Sequence, residues 1–200
     1  KGRMELIKVP YLRRYTPECE IYRMNITPHV VGKHIAPHAI EAAALWAVLT
    51  RLHPASSSDC PPELQNVLSE LTPMDKLHLY DCGEIPERLT SRQARELTHY
   101  LAELYREGLT TPNYEGCSGA SAREIFTILL NAAHHEGHNH LSPTAVFDEI
   151  ASLLQAKTLY PFLRQERSGS YFDHAGFLEQ TRQVYLQWID DDIRDSMGLA

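Results

Sequence analysis

Cysteine is sparse in this 200-residue chain and no CxxC pair occurs: Cys19, Cys60, Cys82 and Cys117 stand far apart. That spacing argues against a zinc knuckle or a disulfide framework and suits reduced thiols. No apolar run approaches the roughly 18 residues that a membrane-spanning helix needs, and no signal-peptide pattern opens the chain. A soluble, cytoplasmic protein with no membrane partner is therefore expected. Positive charge is also in deficit. Nineteen Lys and Arg face 26 Asp and Glu, a formal charge of −7, which argues against nucleic acid as a general partner. The missing motifs exclude more. There is no GxxxxGK(S/T) phosphate loop, no glycine-rich kinase loop, no HRD and no DFG, so the chain has no cradle of its own for the phosphates of ATP.

What charge there is falls unevenly. Residues 1–33 carry seven Lys and Arg against Glu5, Glu18 and Glu20, a net +4 that leaves −11 for the remainder. Met4-Glu5-Leu6-Ile7-Lys8-Val9 alternates partially and is closed by Pro10, which reads as a short strand. A lone strand has no partner here, and Lys1 is not an initiator methionine, so a piece of a longer protein is expected. From there on helix signals dominate. Thr16-Pro17-Glu18 predicts a helix to about Asn25, with Thr16 as its cap. Ala36-Pro37 opens an apolar helix through Leu52, which ends before Pro54. Ala55 to Pro62 is the clearest linker. Helices over Glu63–Leu71, Pro73–Tyr80 and Arg92–Tyr105 follow, the last capped by Thr90 or Ser91 and ended by Gly108.

Ser121 with Glu124 three residues on forms a capping-box pattern ahead of Ile125-Phe126-Thr127-Ile128-Leu129-Leu130. Arg123 then falls in the first helical turn, where the helix dipole disfavours a cation by a few tenths to about 1 kcal/mol. An anion or acidic partner nearby would make the placement sensible; a solvated arginine on an ordinary capped helix is the other reading. Gly116 and Gly119 allow a tight approach loop of the kind a phosphate-facing turn needs.

His134-His135-Glu136-Gly137-His138-Asn139-His140 draws the eye without matching HExxH, since Asn139 stands four residues after His135. Gly137 interrupts the helix that would bring His134 and His138 to one metal, so a solvated loop is expected and no metal ligand is assigned. His34 and His38 are read as surface or capping histidines around Pro37, and Asp81 and Glu84 as solvated carboxylates of a turn. Ser142-Pro143 opens another helix, Tyr160 to Leu163 is an apolar link, and Asp173 caps a long final helix. Asp190, Asp191, Asp192 and Asp195 gather at its end, where carboxylates oppose the dipole; a basic partner, a magnesium site and a frayed end are the alternatives.

Several separated segments, in order, resemble the C-terminal part of the PrkA family, bacterial proteins classed as serine protein kinases and built on an AAA+ ATPase module. They are residues 3–11 (Arg3 to Tyr11), Lys33 to His38, Tyr114 to Glu124, Leu141-Ser142-Pro143 and Asp190 to Ser196. The resemblance implies a mainly α multi-helix bundle with an N-terminal orphan strand left from a missing AAA+ core. It divides the chain into the end of the core and a connecting segment (1–33), a helical lid-like region (34–133) and a C-terminal helical region (134–200). Gly119, Ser121 and Arg123 would belong to a sensor-2-type element in which the arginine reads nucleotide phosphate, and Arg3 would stand where an arginine finger does. ATP and Mg²⁺ would be bound by the intact protein and not by this piece, which lacks catalytic residues of its own. The implied partners are the missing core, further copies of the chain, and a protein substrate of unknown identity. A noncatalytic helical interaction module is the competing reading.

Overall fold

In a computed structural model of the chain, residues 7–55, 60–107 and 113–198 are described. Arg3, the Met4-Glu5-Leu6 part of the expected strand, Ser56 to Asp59 of the linker and Gly108 lie outside them. Residues 7–14 run without regular secondary structure.

The fold is mainly α. Helices α1 (Tyr15–Asn25), α2 (Pro28–Val31), α3 (Ala39–Leu49), α4 (Pro62–Glu70), α5 (Pro73–Cys82), α6 (Ser91–Glu107), α7 (Ala122–His134), α8 (Pro143–Gln155) and α9 (His174–Met197) account for most of it. Strands β1 (His34–Ile35) and β2 (His140–Leu141) form a parallel pair, with His34 opposite His140 and Ile35 opposite Leu141. No helix among the described residues is long and apolar enough to cross a membrane.

Helix α3 is the hub because its sequence is apolar on every face. Every residue from Ala39 to Leu49 except Glu41 is buried, as expected of a helix enclosed by others rather than laid on a surface. Ala39, Ala42, Ala43, Ala44 and Ala47 have no bulk beyond Cβ, so α1, α5, α7, α8 and α9 can all pack against it. Trp46 fills the centre and donates its indole N–H to the His174 carbonyl at 3.1 Å, which ties α3 to the start of α9. Its removal would cost about 3–5 kcal/mol.

The helix starts follow local chemistry. Thr72 and Asp75 form a reciprocal capping box on α5, and Ser142 caps α8 with Pro143 in the first turn. Thr90 and Gln93 exchange hydrogen bonds ahead of α6, and the Asp173 carboxylate accepts from Gly176 N at the head of α9.

Two starts differ from expectation. Helix α1 begins at Tyr15, and Thr16 does not cap it: the Thr16 N–H and hydroxyl both donate to the Asp81 carboxylate at 2.8 and 2.7 Å. A distant acid from α5 does the work assigned to the local hydroxyl. Helix α3 begins after His38, a non-glycine residue at φ 63, and not at Pro37, because Ala36 is held in the ladder beside β2 by its N–H to the Leu141 carbonyl. His38 stacks on Trp188 at 5.2 Å and pairs with Asp192 at 2.9 Å. The acidic end of α9 is therefore helical, with Asp190 and Asp192 engaged, and Gly198 closes it in the left-handed conformation.

Candidate functional site

The loop from Tyr114 to Ser121 delivers α7 to the surface, and its first half is fixed by buried charge. Glu115 is fully enclosed and accepts four hydrogen bonds: from Arg13 and Tyr80 at 3.0 Å each, from Lys76 at 2.5 Å and from His53 N at 2.9 Å. Burial alone would raise the Glu115 carboxyl, but the Lys76 ammonium, the His53 N–H and the Arg13 guanidinium outweigh it and hold it below its ordinary value. Lys76 moves down, since it is buried and shares one carboxylate with a second cation. Arg13 also donates to the Tyr105 carbonyl and sits 3.6 Å from that ring's centroid.

A second buried charge stands beside the first. Arg51, at the C-terminal end of α3, donates to Glu18 at 2.6 Å, to the Ala120 carbonyl at 2.8 Å and to the Leu12 carbonyl at 3.0 Å. Glu18 also accepts from the Tyr22 hydroxyl. Burial disfavours the Arg51 charge, but Glu18 more than offsets it and the guanidinium stays charged. Thr50 accepts from Ala120 N at 2.9 Å, Gly116 N donates to the Arg51 carbonyl, and Tyr11 N donates to the Gly116 carbonyl. The N-terminal segment Tyr11–Arg13, the end of α3 and the loop thus form one clamped unit.

Gly119 makes the clamp possible. It is buried at φ +118, and a Cβ there would lie 2.7 Å from Arg51 Cγ and 2.8 Å from the Thr50 carbonyl oxygen. Its close approach is to α3. The Ser121 hydroxyl accepts from Glu124 N, and the Glu124 carboxylate accepts from Ser121 N at 2.5 Å, so the capping box is complete. That carboxylate already complements the positive end of α7. Arg123 is exposed, and among the described residues its guanidinium has no hydrogen-bond or ion-pair partner.

The structure therefore brings Gly119, Ser121 and Arg123 to one loop-to-helix junction and gives them different tasks. Gly119 and Ser121 set the position, and Arg123 presents a charge. Arg123 is the member of this trio whose charge is left open to solvent. Sequence reading missed Arg13, Glu18, Arg51, Lys76 and Glu115 because their partnerships span up to 102 positions along the chain. Charged residues in an otherwise apolar α3 end and in the loop were the available signal. In the histidine run the His135 and His138 ring centroids are 5.4 Å apart and those of His138 and His140 6.3 Å, and no three donors there come together among the described residues.

Among the described residues the chain is mainly helical, its segment Tyr11–Arg13 is clamped to the central loop, and Arg123 stands exposed at the start of α7. Comparison with known proteins gives the family. The PrkA serine protein kinase C-terminal domain matches residues 74–200 and the PrkA AAA domain matches residues 1–59. The chain belongs to the PrkA family. A Bacillus subtilis (strain 168) relative, named as the ATP-dependent protease PrkA, is 24% identical over 185 residues, covering 92% of this chain and 25% of that protein. The chain thus spans about a quarter of that relative's length. No solved structure matches.

Proposed function

We propose that this chain is the helical lid and regulatory part of an ATP-dependent PrkA-type protein, in which Arg123 senses nucleotide phosphate bound by the AAA core. One observation carries the reading: Arg123 is exposed and unpartnered, among the described residues, at the end of α7 where the dipole disfavours a cation. In this reading a phosphate oxygen supplies the counter-charge for Arg123 itself. Guanidinium suits the task because it stays protonated and can form two parallel hydrogen bonds, which strengthen when a γ-phosphate is present.

In this reading residues 34–133 act as the lid and 134–200 as the C-terminal region. ATP and Mg²⁺ are held by the core, and the chain alone does not turn over nucleotide. Residues 11–13 join the core to the loop through Arg13–Glu115 and the Tyr11 N–H to the Gly116 carbonyl, so in this reading movement at the nucleotide shifts α7 as a unit. The family description speaks of a serine protein kinase and the Bacillus relative's name of an ATP-dependent protease. Phosphate sensing by Arg123 serves either chemistry, because both consume ATP.

The test is ATP turnover by the full-length protein carrying Arg123→Ala. Loss of most turnover with an unchanged unfolding midpoint supports the reading, and wild-type turnover rejects it. A second reading, a noncatalytic interaction module, is favoured by the second half of α9, which exposes Leu186, Ile193 and Met197. If Leu186→Asp with Ile193→Asp abolishes activity of the full-length protein while Arg123→Ala does not, the module reading takes its place.

A further inference from the structure

The C-terminal end of α5 gathers three metal-binding side chains that the phosphate-sensing proposal does not use. His78 and Cys82 are four residues apart and so share one face of the last turn. Gly83 then takes φ +75, the left-handed conformation that only glycine adopts cheaply, and turns the chain back so that Glu84 comes over the same face. One carboxylate oxygen, Glu84 Oε2, lies 3.1 Å from His78 Nδ1 and 3.9 Å from Cys82 Sγ. All three donor atoms lie within 4.8 Å of one another. A tetrahedral ion with bonds of about 2.0–2.3 Å places its ligands roughly 3.3–3.7 Å apart, so closing the site needs shifts of about 1 Å or less in surface side chains.

We infer that His78, Cys82 and Glu84 form a binding site for a borderline-soft divalent cation of the zinc class. The donor set selects the ion: a thiolate and an imidazole disfavour Mg²⁺ and Ca²⁺, and a single carboxylate completes three ligands, with a fourth position open to water. The position at the negative end of α5 favours a cation further. Asp81 is not the fourth ligand, because its carboxylate is taken by Thr16 and its carbonyl by Arg14. Without an ion, the Cys82 thiol donates to the His78 carbonyl and His78 Nδ1 faces the carboxylate. On binding, the thiol proton leaves to solvent, one per ion, and the imidazole proton resides on Nε2. The bound ion pins the Gly83 turn to α5.

Titration of the chain with Co²⁺, followed by competition with Zn²⁺, tests this. One equivalent of Co²⁺ should produce the near-ultraviolet thiolate-to-cobalt band. Cys82→Ser should remove the band and weaken Zn²⁺ binding by about tenfold or more, and His78→Ala should weaken it similarly, while His138→Ala leaves both unchanged. These side chains are exposed, so the variants should fold, which an unchanged helical circular dichroism spectrum checks. Absence of a thiolate band, or a band that persists in Cys82→Ser, overturns the assignment.

Discussion

Glu115 and Arg123 belong to the same short stretch and have opposite fates. Glu115 is buried, accepts four hydrogen bonds and neutralises cations from two other segments. Arg123 is exposed and, among the described residues, has no partner. A buried ion pair adds little net stability over well-packed apolar groups, but losing one member strands the other in low dielectric. The first half of the stretch therefore specifies how the loop sits, and the second half leaves a charge exposed at the surface.

The comparison can be broken at its strongest point by Glu115→Ala. That change leaves Arg13 and Lys76 buried without their carboxylate and should cost about 3–5 kcal/mol in urea unfolding. Gly119→Ala should come next, at about 3 kcal/mol, because it adds a side chain at φ +118 against Arg51 and the Thr50 carbonyl. A tolerated Gly119→Ala would mean that the loop is not clamped to α3. Ser121→Ala should cost about 1 kcal/mol through loss of the cap and should leave the unfolding m-value unchanged.

Acid should separate the buried groups in two stages. Burial lowers His53 and His174 below the ordinary histidine value of 6.5, so the unfolded chain binds more protons just under that pH. Stability from these residues is present above pH 6.5 and is lost as pH falls below it. Glu115 is also depressed, so its contribution is fully present above the ordinary value of 4.5 and is lost as pH falls below it through the folded value. A urea midpoint that did not drop between about pH 7.5 and 5 would show that neither histidine is held neutral. The smallest effect on the fold should belong to Arg123→Ala, at about 0.5 kcal/mol or less, with relief of the unfavourable dipole tending to stabilise.

Much of the helical architecture was legible because capping is local. Thr72-Pro73, Ser121 with Glu124, Ser142-Pro143 and Asp173 all start helices where their chemistry says they should. The start of α1 was misread because its capping acid, Asp81, comes from another helix. The loop's glycine was legible as a close approach, but not what it approaches, since Arg51 lies far upstream in sequence. The same limit separates the two candidate metal clusters. The histidine-rich run around His138 is dense in sequence, yet among the described residues no three of its donor atoms come together. His78, Cys82 and Glu84 look ordinary in sequence, and only the left-handed turn at Gly83 brings them together.

The most direct test of Arg123 as a phosphate sensor is the ratio of ATP to ADP affinity in the full-length protein, measured for wild type, Arg123→Lys and Arg123→Ala. Sensing through a bidentate guanidinium predicts that the preference for ATP falls in Arg123→Lys and collapses in Arg123→Ala, with ADP affinity changing less. An unchanged ratio in Arg123→Ala would contradict it.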